Sequence, residues 1–158
     1  MSDTYTKLAD TLSSHEGKAY ITINGKNREL FELSSITAQI ELTVTSKRML
    51  GTRMTQHKVT GAEGTGSMTM YFANSEMLKQ TLTYLKNGTY PPITIQTYNE
   101  DTQSTVGRQE VVLGNVILNS IPAASIDDGS DDPITFDTDI TFDTIECLRT
   151  FDLPENFR

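Results

Sequence analysis

The chain has no tryptophan and a single cysteine, Cys147, among its 158 residues. One cysteine cannot form an intrachain disulfide, so nothing covalent staples the fold. A lone cysteine in an apolar, strand-like stretch is expected to be a small core residue. Long hydrophobic runs are also missing. None exceeds four residues, far short of the roughly 20 that a membrane helix requires. The polar segment from Met1 to Leu12 lacks the apolar centre of a signal peptide. We therefore expect no membrane anchoring and assembly in the cytoplasm, with release left to lysis or another machine. Positive charge is scarce too, with 13 basic against 21 acidic residues and a formal net charge of −8. That argues against a dedicated nucleic-acid binder, which needs a basic surface to neutralise phosphates. It is compatible with a wall past which DNA slides, because like charge prevents adhesion.

What remains is lean in apolar residues, at 36% with 8% aromatics, and rich in Thr, Ser, Asn and Asp. A β protein with much half-exposed sheet has this composition, since Thr suits the solvent face of a strand. So does a subunit whose core is completed by its neighbours. The length fits one domain spanning 1–158.

Residues 1–16 carry little pattern and read as an N-terminal arm. Ala19, Ile21 and Ile23 then alternate with polar neighbours, the period-2 mark of a strand. Asn24-Gly25 follows as a turn signal, since both residues accept positive φ at little cost. The cleanest alternation sets Ile36, Ala38, Ile40, Leu42 and Val44 on one face, with Thr37, Gln39, Glu41, Thr43 and Thr45 on the other. It predicts a strand buried on one side. Residues 46–66 break the pattern, first with basic and methionine residues, then with Gly61, Gly64 and Gly66. About twenty residues without a buried face is long for a loop, and such a segment is functional, disordered or ordered by a partner. Strand pattern resumes from Ser67 to Phe72.

Asn74-Ser75 as a helix start, a stripe of Leu78, Leu82 and Leu85, and a stop at Lys86-Asn87-Gly88 predict one helix. Further strands are expected after Pro91-Pro92, from Arg108 to Asn119, and from Ile134 to Asp143, with 148–158 as a short tail. The total is roughly seven or eight strands with one helix and no βα alternation, which predicts an antiparallel β-sandwich or barrel.

Catalytic and metal-binding patterns are not found. His15 and His57 lack a second ligand at metal spacing, and no motif places either beside Cys147 as a base. The acidic run Asp127 to Asp132 has the wrong order for a calcium loop. Gly61 to Gly66 lacks the Gly-Lys-Ser/Thr of a phosphate-binding loop and reads as a flexible turn with a bulge. No cofactor, metal or enzymatic activity is expected.

Several segments in order carry a family likeness. They are Glu16-Gly17-Lys18-Ala19-Tyr20-Ile21-Thr22-Ile23-Asn24-Gly25, then Leu50 to Lys58, Gly64 to Tyr71, Asn99-Glu100-Asp101, Gly107-Arg108-Gln109 and Thr135-Phe136-Asp137. Together, over about Glu16 to Asp152, they resemble the tail tube proteins of Gram-positive phages, defective prophages and phage-tail-like bacteriocins. The resemblance implies a sandwich or barrel subunit with one helix, assembled as stacked hexameric rings into a hollow tube inside a contractile sheath. Partners implied are further copies of the chain, the sheath, a baseplate, and a tape-measure protein with or without DNA in the lumen. It also implies intersubunit contact through 46–66, with Leu50 and Met54 supplying apolar surface, Lys47, Arg48 and Arg53 meeting acids, and Met49 among the contacts. Nearby readings are the ring protein of a type VI secretion system, a tail terminator or a baseplate adaptor.

Overall fold

Alternating sequence becomes two stacked antiparallel sheets in the computed structural model, which describes residues 5–12, 17–126, 128–129 and 131–157. Sheet A has the order β2-β1-β5-β6-β9, and sheet B has β3-β4-β8-β7. The strands are β1 (Gly17–Ile23), β2 (Lys26–Glu29), β3 (Leu33–Lys47), β4 (Gln56–Tyr71), β5 (Ile93–Glu100), β6 (Arg108–Gly114), β7 (Ile117–Leu118), β8 (Thr135–Phe142) and β9 (Thr144–Arg149). One helix, α1 (Glu76–Asn87), follows β4. Part of the expected N-terminal arm, including His15, falls outside the described residues, as do Asp127 and Ser130 of the acidic run.

The core lies between the sheets. Ala19, Ile21, Ile23, Ile93, Ile95 and Leu113 come from sheet A, and Met68, Met70, Leu118, Ile140 and Phe142 face them from sheet B. This is the inward half of each alternation, as a two-layer sandwich requires. Asn24 and Gly25 both take positive φ, 52° and 80°. That is the two-residue geometry matching the right-handed twist of paired strands, and it joins β1 to β2.

Of the four points at which the chain changes sheets, two are adjacent corners. Asn115, with φ 54°, turns β6 into β7, and Asp143 turns β8 into β9. The Asp143 amide donates to the Gly114 carbonyl at 3.1 Å, and the Asn115 side chain donates to the Asp143 carboxylate. Residues 144–149 are strand, although 148 and 149 are expected from the sequence to belong to the tail. Their alternation is too short and too exposed to stand out.

Helix α1 starts where expected. The Asn74 side-chain oxygen accepts from the Glu76 amide at 2.9 Å, and Gly88 closes the helix in the left-handed region with its amide on the Tyr84 carbonyl. Its first turn packs inward most closely, through buried Met77 and half-buried Leu78. Leu82 and Leu85 are exposed, Leu85 by 71%, so most of the expected apolar stripe is uncovered in the single chain.

An ion cluster fixes that helix to the sandwich. Arg28 on β2 donates to Glu32 at 2.9 Å and to Glu76 at 2.8 Å. The hydrogen bonds it donates to Glu32 first, and to Glu76 with them, hold the Arg28 guanidinium above its ordinary pKa against the opposing effect of burial. Glu32 is buried, a position a carboxylate tolerates only with charge-assisted bonds.

At the opposite end, Asp10 near the N-terminus accepts from the Thr105 hydroxyl at 2.6 Å and the Thr105 amide at 3.1 Å. Thr105 in turn accepts from the Glu155 amide at 2.9 Å. Both terminal segments are thus pinned to the β5–β6 loop.

Candidate assembly interface

The feature that exceeds the needs of a sandwich is the β3–β4 hairpin. Its strands are 15 and 16 residues long, against the usual five or six. The two pair from Leu33–Met70 out to Lys47–Gln56. Strand β8 pairs with β4 only as far as Gly64–Phe142. Beyond that point roughly seven residues of each strand project as a two-stranded arm of ~23 Å.

The register decides what each face of the arm presents. Gly64 lies opposite both Ile40 and Phe142, and Phe142 is in the core. Ile40, Leu42 and Val44, with Ala62 and Val59 opposite the last two, therefore continue the inner face. Past Phe142 that face has no cover: Leu42 is 59% exposed, Val44 52% and Val59 55%. The expectation that this strand buries its apolar side holds for Ile36, packed against the core, and fails outward from Ala38, which is already exposed. The physical reason is simple: the alternation runs on after the opposing sheet has ended.

The glycine-rich stretch is strand, where a flexible turn was expected. Gly64 and Gly66 are central to it because a Cβ at either position would collide, with the Phe142 ring at Gly64 and with the Thr37 carbonyl at Gly66. A bulge lies between Thr43 and Val44, in whose register Thr60 has no partner. The signal was readable as a wish for close approach, since glycine inside a strand marks such places.

All six residues expected to make intersubunit contact gather at the arm's tip. Lys47 ends β3, and Arg48, Met49, Leu50, Arg53 and Met54 occupy the turn before β4. All are exposed, Met54 by 81%. Between Ser46 and Lys58 the chain has four cations, Lys47, Arg48, Arg53 and Lys58, and no acid. Thirteen less these four leaves nine cations against all 21 acids elsewhere.

Sheet B's outer face has the opposite character. Cross-strand rows read Asp137–Thr69–Ser35, Asp139–Ser67–Thr37 and Thr141–Thr65–Gln39, followed by Glu63 opposite Glu41. Asp137 accepts from the Thr69 hydroxyl at 2.6 Å. These rows hold hydroxyls, one amide and four carboxylates, with no Lys or Arg. Directly opposed like charges such as Glu41 and Glu63 destabilise a sheet slightly, so the sandwich itself has no use for them.

Cys147, expected in the core, is exposed on β9. It sits on the inner side of an edge strand that sheet B does not reach. Among the described residues, no group of three His, Cys, Asp or Glu side chains converges on a metal position.

A sandwich with an uncovered apolar arm is a subunit built to be completed by others, so the class is that of structural assembly proteins. The family model described as phage tail tube protein matches residues 4–149, and the chain belongs to that family. It is a structural, non-enzymatic component of phage-tail-type particles. It is 31% identical over 149 residues to the phage-like element PBSX protein XkdM of Bacillus subtilis (strain 168), covering 94% of each chain. Among solved structures it is similar in fold to the tube-terminating cap of the anti-feeding prophage, with TM-score 0.66, 11% identity, and 94% and 95% of the two chains covered. It is similar again to a chain of the extended sheath–tube complex of the PVC extracellular contractile injection system, with TM-score 0.64, 10% identity, and 90% and 98% covered.

Proposed function

We propose that the chain is the repeating subunit of the inner tube of a contractile tail. Six copies close into a ring, and rings stack into a hollow conduit that sheath contraction drives through the target envelope. The observation that carries this is the arm, whose Leu42, Val44 and Val59 lie bare to solvent in the single chain. Covering apolar surface is the dominant favourable term in association. The arm and the surface it meets are different patches of the same molecule, and such head-to-tail contacts generate rings where the rotation closes.

On this reading sheet B's outer face, with Glu41, Glu63, Asp137 and Asp139, lines the lumen. A wall of carboxylates and hydroxyls repels a polyanion and lets it pass without adhering. The exposed half of α1, with Leu82 and Leu85, faces outward or toward a neighbouring ring. The sheath outside, the baseplate at the initiating end and a tape-measure protein within are the remaining partners, and the tail is put together in the cytoplasm.

The test is electron microscopy of the purified chain across a concentration series, alone and with its baseplate. Stacked rings with sixfold end views are the expected result. Single rings that never stack would instead assign the chain to a terminator, a role to which the cap's fold is equally suited. A monomer that persists even with the baseplate present would overturn both.

A further inference from the structure

The arm needs a seat, and the same chain carries an open face that fits it. Strand β9 pairs with β6 so that Ile145 lies opposite Leu113 and Cys147 opposite Val111. Leu113 is buried in the core and Val111 packs against it. Ile145 and Cys147 therefore also point to the inner side of sheet A, yet Ile145 is 46% exposed and Cys147 is exposed as well. Each sheet has its own overhang of inner face, sheet B at the arm and sheet A at β9. Since both overhangs are exposed within one chain, neither covers the other there.

We propose that the arm of one copy lies with its inner face across the inner face of β9 in a second copy, completing that copy's sandwich. This rests on the tube reading above and adds the acceptor. Three matches support it. Both faces are one side of an alternating strand, the form in which two sheets pack about 10 Å apart. The projecting stretch of roughly seven residues per strand suits the short β9, Thr144–Arg149. Charge is complementary as well. The charges at the arm's tip are all basic, while β9 is bracketed by Asp143, Asp152 and Glu155, all exposed. The one cation on β9, Arg149, stands opposite Glu110 in the register.

Cys147 supplies the reporter. Val44→Cys, on the arm's inner face, is assembled and treated with a short bis-maleimide, which bridges two thiols without oxidation. A ladder of linked chains running beyond the dimer is expected. Thr43→Cys, on the opposite face, and Val44→Cys combined with Cys147→Ser should both stay single-chain. Rings that are intact by microscopy but leave Val44→Cys unlinked would overturn the acceptor while the tube reading stands. So would equal linking of Thr43→Cys, or a product that stops at the dimer, since a dimer means a symmetric contact. If Val44→Cys itself forms no rings, Ile145→Asp decides. The proposal expects at least a tenfold loss of ring formation with an unchanged monomer melt, and parental assembly would refute it. Failure of the parent chain to form rings under any condition would remove the tube reading and this proposal together.

Discussion

Replacing Leu42 and Val44 together by aspartate should separate assembly from folding. Both side chains sit on the arm's inner face, 59% and 52% exposed in the single chain. Fully burying a Leu or Val contributes about 1.5–3 kcal/mol, so covering the exposed half or more of each gives ~1–1.5 kcal/mol. The pair then contributes about 2–3 kcal/mol per contact, roughly 30- to 160-fold in the association constant. The substituted carboxylates lose that and must also be desolvated, which adds to the penalty. A closed ring makes the contact at every subunit, so the concentration for half-assembly should rise by at least about two orders of magnitude.

The folded monomer should hardly notice. Surface changes away from special features usually fall within ~0.5 kcal/mol, about 2 °C in midpoint for a chain of this size. Sedimentation velocity reads assembly, and a thermal melt at a concentration below assembly reads folding. The control is Thr43→Asp with Thr45→Asp on the opposite face, where the register places Gly61 and Lys58 and no acid directly across. It introduces the same charges into the same strand and should assemble nearly as the parent does. Equal loss in both pairs would show that charge or strand propensity is responsible. A monomer melt lowered by many degrees in the Leu42/Val44 pair would show that the face is covered within one chain. Either result refutes the reasoning.

Three further outcomes are expected. Arg28→Ala leaves buried Glu32 without its guanidinium partner, and urea denaturation should show a loss of about 3–5 kcal/mol, with Glu76→Gln costing much less. Gly64→Ala sets a Cβ into the Phe142 ring; backbone or ring must shift, and overpacking of this kind should cost ~1–3 kcal/mol in the same assay. Reversing Arg48 and Arg53 to glutamate should leave the melt unchanged and slow assembly. Raising the salt should narrow the gap from the parent, since exposed charge pairs are screened over a Debye length of about 10 Å at 0.1 M.

The sandwich was legible because its inner faces obey a period of two wherever both sheets are present. Ala19, Ile21 and Ile23 alternate onto the face that is buried, and α1 is marked at both ends by Asn74-Ser75 and Gly88. Three things were not legible, each for a physical reason. Strand β9 is one-layered and exposed throughout, so its residues show no burial contrast. The glycines at 61, 64 and 66 break hydrophobic alternation in the same way whether they end a strand or let a neighbouring ring into it. Only the register, which puts Phe142 across from Gly64, tells these apart. The third is Leu85, placed on a helical stripe by spacing but exposed by 71%, because periodicity identifies an apolar face without naming what lies against it.

That last distinction applies most strongly to β3. The alternation of Ile36, Ala38, Ile40, Leu42 and Val44 does not weaken where the opposing sheet stops, although a solvent-facing arm gains nothing from aliphatic side chains and risks edge-to-edge aggregation by carrying them. A lean overall composition makes the excess more pointed. In a chain with few apolar residues to place, several stand outside the core of the isolated subunit, on the arm, on β9 and on the outer half of α1. On the proposed tube reading, a core that one chain leaves open at two places is half of an interface repeated around a ring. On that view the amphipathic pattern of β3 records burial in the assembly, and the residue at which it outruns its own sandwich, Ala38, marks where the partner begins.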